Sequence, residues 1–166
     1  PGHEALDVNE TWNGSGWTET GDLNTVRYAH AGFGTTTSAI CAGGGNPPST
    51  ASVEQWDGSS WTEVGDLNEA KGKKGAGLSG SAGLVFGGSP AHSVNTEVWD
   101  GSSWTEVANM NTSKSNACGF GIPTSAICAG GSNDSGLLAV AEQFDGTSWT
   151  EVADLALARN NQATSG

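Results

Sequence analysis

The sequence predicts an all-β protein assembled from about four copies of one small antiparallel unit. Three observations predict it. An aromatic residue, Asp-Gly, two small polar residues and Trp-Thr-Glu recur along the chain, from Trp56 to Glu63 and from Trp99 to Glu106, with weaker copies from Trp12 to Glu19 and from Phe144 to Glu151. The second Trp of each copy (Trp17, Trp61, Trp104, Trp149) returns after 44, 43 and 45 residues, a period that signals stacked or ringed supersecondary units. Short apolar runs bounded by Gly, Pro, Asn and Asp fill each period, and no stretch sustains helical periodicity.

Each unit is expected to hold four strands. The first is small and Gly-rich, as in Tyr28 to Gly34 and Asn116 to Gly121, because small residues let neighbouring backbones approach closely. The second is an apolar triplet closed by Gly-Gly: Ile40 to Ala42 before Gly43-Gly44, Leu84 to Phe86 before Gly87-Gly88, and Ile127 to Ala129 before Gly130-Gly131. The third alternates toward the aromatic, as in Val53 to Trp56 and Thr96 to Trp99, and the fourth is Trp-Thr-Glu-Val. Asn13-Gly14, Asp57-Gly58, Asp100-Gly101 and Asp145-Gly146 separate these two strands. Such pairs are the strongest short hairpin signal, since Gly supplies the positive φ that the turn needs. Four strands per unit, each unit relying on neighbours to bury its apolar face, describe the blade of a β-propeller.

The apolar triplet, Gly-Gly, variable loop, Glu two residues before an aromatic, and Trp five residues later resemble the kelch repeat, over nearly the whole chain. The third-strand aromatic is Trp or Phe here (Trp12, Trp56, Trp99, Phe144), where kelch repeats usually carry Tyr. The resemblance implies a kelch-like propeller whose first strands line a central channel and whose fourth strands lie outermost. It divides the chain into the third and fourth strands of a split blade over 1–23, complete blades over 24–67, 68–110 and 111–155, and a further first strand over 156–166. Kelch rings commonly have six or seven blades, so four equivalents depart from the pattern. Three arrangements follow: a piece of a longer chain, a small ring whose termini share a blade, or two chains joined in one ring or array. Exposed strand edges at the split ends favour self-association.

Composition narrows the function classes. Net charge is −12, from 18 acidic and 6 basic residues, which argues against nucleic acid and against an anionic membrane surface. No apolar run approaches the roughly 20 residues of a membrane span. No targeting segment is read, and the opening on Pro1 suggests a processed product or a piece of something longer. Three cysteines, Cys41, Cys118 and Cys128, give no disulfide framework. Cys41 and Cys128 share a repeat position and are expected to act as small buried hydrophobes. A Cys118–Cys128 cross-strand disulfide is left open, subject to geometry.

All six cations fall where a fourth strand leads into the next first strand. Arg27, Lys71, Lys114 and Arg159 each lie four residues after Leu23, Leu67, Met110 and Leu155, with Lys73 and Lys74 close by. They are expected either to bind an anion or acidic glycan near one channel mouth, or to pair with Glu10, Glu54, Glu97 and Glu142, which also recur once per unit. The pairing is favoured, because a residue repeated in every unit is architectural. The same argument assigns the Trp residues to packing between units rather than to a sugar platform, and Asp57, Asp100 and Asp145 to turn chemistry rather than calcium. The loops after Gly-Gly differ between units and are the better binding candidates, through Asn46, His92, Asn133 and Asp134. Asn9, Asn13, Asn111 and Asn133 head glycosylation sequons that matter only in a eukaryotic secretory pathway.

Enzyme readings find little support. A kelch-like copper oxidase needs two Tyr, and only Tyr28 is present; the Asp-Gly-Ser-Ser-Trp segment is similar to a sialidase Asp box, but two Arg cannot make a three-Arg clamp. The expectation is a non-catalytic structural or recognition module with no cofactor and no metal, extracellular or on a virus-like particle. A lectin-like propeller is the alternative, and a propeller enzyme the remote one.

Overall fold

The structure, a computed structural model, describes residues 6–45, 48–89 and 91–161, with the side chains of 73–78 outside the description. It is all-β, with no helix among the described residues. A hairpin, β1 (Glu10–Trp12) and β2 (Trp17–Glu19), precedes three four-stranded sheets. The first sheet holds β3 (Ala31–Thr35), β4 (Ser38–Ala42), β5 (Val53–Trp56) and β6 (Trp61–Val64). The second holds β7 (Gly72–Ser79), β8 (Ala82–Ser89), β9 (Thr96–Trp99) and β10 (Trp104–Val107). The third begins with β11 (Cys118–Ile122) and β12 (Ser125–Ala129), is interrupted by a small hairpin of β13 (Ser132–Asn133) and β14 (Gly136–Leu137), and ends with β15 (Ala141–Phe144) and β16 (Trp149–Val152). Each four-stranded sheet is an antiparallel meander, and none closes on itself among the described residues.

Two turn chemistries set the register. Asp57 Oδ1 accepts hydrogen bonds from Ser59 N, Ser59 Oγ and Ser60 N at 2.8–2.9 Å, and Asp100 and Asp145 repeat the arrangement. The turn thereby places Trp56 opposite Trp61, Trp99 opposite Trp104, and Phe144 opposite Trp149. Asn13 does the same in the first hairpin and sets Trp12 opposite Trp17. The Gly-Gly pairs have a different task. Gly43, Gly87 and Gly130 have φ of 64°, 64° and 66°, a region that costs other L residues about 1–2 kcal/mol. This turn aims the next N–H at the following unit: Gly44 donates to Lys71 O, Gly88 to Lys114 O and Gly131 to Arg159 O. Gly-Gly therefore ties each sheet to the cation-bearing residue that starts the next unit.

The sheets meet mainly through their first strands, with β3, β7 and β11 side by side. Alternation gives each sheet a forward and a backward face. The forward face of the first sheet offers Phe33 and Ile40, which pack with Val85, Trp99 and Trp104 of the second. Leu84 and Phe86 of the second sheet pack in turn with Phe144 and Trp149 of the third. Each junction has a ring lying over a glycine. A Cβ on Gly83 would come within 2.8 Å of Phe33 Cδ2 and closer to Cε2 and Cζ, and one on Gly119 within 2.9 Å of Phe86 Cε2 and closer to Cζ.

The structure departs from the sequence reading in several places. β7 and β8 are eight residues each and carry register shifts. The third loop after Gly-Gly folds into the β13–β14 hairpin, which the sequence reading treats as loop; Asn133 Oδ1 accepts from Ser135 N and Gly136 takes φ 116° to make its turn. Residues 156–161 of the expected last first strand contain no strand, while 162–166 lie outside the described residues. The open question of a Cys118–Cys128 disulfide resolves to two buried thiols that are not bonded to each other. Cys118 pairs with Ala129 and Gly119 with Cys128, so the two side chains leave opposite faces of the sheet.

Candidate functional site

The repeated cations and the repeated acids form one internal device. Glu54 on β5 accepts hydrogen bonds from Asn24 N at 2.6 Å, Asn24 Nδ2 at 2.9 Å and Thr25 N at 3.1 Å, and pairs with Arg27 Nη2 at 2.5 Å. Arg27 Nη1 also donates to the carbonyls of Gly43 and Ser52. Glu142 on β15 is bound in the same way by Asn111 N, Asn111 Nδ2 and Thr112 N, with Lys114 Nζ at 2.9 Å. All four charged side chains are buried. Two opposite charges removed from water persist only where geometry and further hydrogen bonds compensate their desolvation, and the backbone amides provide that here. In the second sheet Glu97 accepts from Asn68 N and Nδ2, while Lys71 Nζ pairs with Glu69 at 2.6 Å at a partly exposed site.

Arg159 differs: it is exposed, its Nε donates to Leu157 O, and Ala156 replaces the Asn of the other units. Glu10, the fourth acid, is exposed on β1. Arg27 and Lys114 thus offer no charge to an external anion. Sequence reasoning missed Asn24, Asn68 and Asn111, although Leu-Asn or Met-Asn before each of the first three cations was a visible signal. Asn111 Nδ2 is committed to Glu142 and Trp149 O, so this sequon is unsuited to glycosylation in the folded chain.

The variable loops gather at the end of the sheets where the first strands begin. A cavity of about 470 Å³ is lined by Tyr28, Ser89, Ser115, Asn116 and Asn161 among others, and a neighbouring one of about 440 Å³ by Tyr28, Gly45, Pro48, Ser49 and Ser89. Tyr28 stands between them and is fixed by reciprocal backbone bonds with Gly45. Ala29, Asn116 and Asn161 each have φ 53° and turn the chain two residues after Arg27, Lys114 and Arg159. The second and third loops are joined through His92, whose Nδ1 lies 2.9 Å from Ser115 Oγ and whose Nε2 lies 3.4 Å from Asp134 Oδ1. Ser115, His92 and Asp134 share a row, but Asp134 is fully solvated and Ser115 is buried. A nucleophilic triad needs the reverse, an accessible hydroxyl and a sheltered carboxylate, so the row is a tie between loops. Asn133 sits in the third-loop turn, and Asn46 lies outside the described residues.

The remaining ionisable groups follow their surroundings. Burial pushes the Cys41 and Cys128 thiols up to about 12. Backbone and hydroxyl donors hold Asp57, Asp100 and Asp145 at about 2. Among the described residues no group of three His, Cys, Asp or Glu side chains is placed to share a metal ion, and no helix is long and apolar enough to cross a membrane. The recurring Trp residues pack in tilted pairs 5.2–5.5 Å between centroids, and Trp149 also meets Phe86 edge-on at 5.2 Å. Trp12 and Trp17 alone among these pairs are both exposed. Neither a protein-family model nor a curated protein matches the chain.

Proposed function

We propose that the chain is a kelch-type β-propeller segment, acting outside the cell or on a virus-like particle as a non-catalytic recognition module. The three meander sheets, their first strands side by side, support the propeller arrangement. The observation that carries the functional reading is the convergence of the loops after the first two Gly-Gly pairs on Tyr28, with the third loop tied in through His92. Loops held on a rigid scaffold are where binding concentrates. The lining presents hydroxyls, amides and the rings of Tyr28 and Phe86, a set suited to a carbohydrate or to the polar backbone of a protein ligand. Burial of Arg27 and Lys114 turns this reading away from acidic glycans and toward neutral ones. The test is binding of the immobilised chain to a panel of neutral and acidic glycans and peptides. Saturable binding weakened at least about tenfold by Tyr28→Ala, the size of one lost stacking contact plus a hydrogen bond, is expected. Binding indifferent to Tyr28→Ala and His92→Ala, or no binding across the panel, overturns the reading.

A further inference from the structure

We propose that the exposed turn at Asn13-Gly14 is a self-modification site, at which the folded chain converts the Asn13 amide to an acid through a cyclic imide, with water as the co-reactant. The inference is independent of the recognition reading above. Asn13-Gly14 is the one place in the sequence where Asn precedes Gly, so no side chain shields the backbone nitrogen that follows the amide. A Cβ built on Gly14 would meet nothing within 4 Å. Gly14 N makes no hydrogen bond among the described residues, so the hairpin does not hold the nucleophile. Asn13 Nδ2, the leaving group, likewise has no partner among them, and the residue is exposed. Asn13 Oδ1, by contrast, accepts from Ser15 Oγ at 2.8 Å, Ser15 N at 2.9 Å and Gly16 N at 3.0 Å. Attack at Cγ places negative charge on that oxygen, and donors already aimed at such a charge lower the barrier.

The step balances without an oxidant or a reductant. Gly14 N loses its proton to water or hydroxide and bonds to Asn13 Cγ; the Cγ–Nδ2 bond breaks, and Nδ2 leaves as ammonia. Water then opens the imide. Addition at Cγ restores the peptide bond and leaves aspartate at position 13. Addition at the main-chain carbonyl leaves an isoaspartyl link, which lengthens the backbone by a methylene between the paired Trp12 and Trp17. The other turns of the repeat show why the chemistry is confined to this one. Asp57, Asp100 and Asp145 make the same turn before Gly, but their backbone and hydroxyl donors hold the carboxyls at about 2. At neutral pH they are carboxylates, which a backbone amide does not attack. Asn9 Nδ2 donates to Thr20 Oγ1, and the Nδ2 groups of Asn24, Asn68 and Asn111 donate to Glu54, Glu97 and Glu142; none of these four precedes Gly. The Asp turns are exposed in all three four-stranded sheets, so the exposure of Asn13 belongs to the place of the turn within its unit and not to what adjoins β1.

Peptide mapping by mass spectrometry tests the proposal, on the full chain incubated folded at mildly alkaline pH and in parallel unfolded in urea. In the folded chain the peptide holding Asn13 is expected to gain the mass of an amide-to-acid exchange and to split into aspartyl and isoaspartyl products. The peptides holding Asn24, Asn68 and Asn111 are expected to keep their amides. Asn13→Asp supplies the reference for the aspartyl product. Ser15→Ala removes the Oγ donor and is expected to slow the folded reaction about twofold or more, the worth of one exposed hydrogen bond, with no change of rate in urea. A folded chain that keeps the Asn13 amide while the unfolded chain loses it overturns the proposal, as does loss at Asn24, Asn68 or Asn111 at the same rate. Equal folded rates for Ser15→Ala and wild type overturn it too, because the donors of the turn would then play no part.

Discussion

Gly119→Ala is expected to unlock the junction between the second and third sheets. Gly119 lies on β11 beneath Phe86, and an added Cβ would overlap the ring, with Cε2 2.9 Å away and Cζ closer. The ring cannot swing aside: Phe86 has no exposed surface and packs edge-on against Trp149 at 5.2 Å. Overpacking a filled core costs about 1–3 kcal/mol. Replacing Gly by Ala also removes freedom from the unfolded chain, which returns about 0.4–1 kcal/mol where the backbone tolerates it. The net loss is therefore at most about 2.6 kcal/mol and centres on about 1.3 kcal/mol, read as a lower urea midpoint in Trp fluorescence. Gly32 supplies the internal control. It holds the same position in the first sheet, neither glycine has a positive φ, and a Cβ there meets nothing nearer than Ile40 O at 3.9 Å. Gly32→Ala should leave the midpoint unchanged or raise it. Combining Gly119→Ala with Phe86→Ala removes the clash, so the double variant should be more stable than the sum of the single losses. Equal effects at Gly32 and Gly119, or strict additivity with Phe86→Ala, would refute the ring-over-glycine account.

Three further outcomes follow from the buried charges and the turns. Arg27→Leu leaves Glu54 buried without its partner and should cost about 3–5 kcal/mol, whereas Lys71→Leu, at a partly exposed pair, should cost at most about 1 kcal/mol; urea melts compare them directly. A carboxyl whose pKa falls on folding stabilises the fold only while ionised. Asp57, Asp100 and Asp145 drop from 3.8 to about 2, so their contribution is complete above about pH 4 and disappears as pH falls through about 2. Asn substitution at all three should flatten that acid limb of the stability curve. Cys41 and Cys128, raised to about 12 by burial, should resist aromatic disulfide reagents at pH 8 in the native chain and react once urea unfolds it; rapid native labelling would contradict the packing.

The local elements were legible in the sequence because each rests on near-neighbour chemistry. Asp-Gly sets a two-strand register within eight residues, and Gly-Gly marks the left-handed turn after every second strand, as at Gly43 and Gly130. The pairing of repeated cations with repeated acids was legible as the favoured reading, since both recur once per unit. The amides that complete it were not weighed, because Asn24 meets Glu54 across 30 residues and only the folded sheet brings them together.

What the sequence alone determined is the β class, the period, the strand order within each unit and the identity of the turns, all encoded by short-range sterics and hydrogen bonding. The tertiary structure decided which repeated residues are available. Arg27 and Arg159 occupy equivalent positions, yet one is buried on a carboxylate and the other is exposed. Trp104 and Trp17 likewise share a motif and differ in exposure. Identical sequence signals diverge because burial depends on which strands lie over each residue: Arg27 meets Glu54 of β5 in its own unit, and Trp104 meets Phe33 and Ile40 of the preceding sheet. Arg27 and Trp104 have strands of the described sheets packed over them, whereas Arg159 and Trp17, at equivalent positions of the repeat, face water among the described residues.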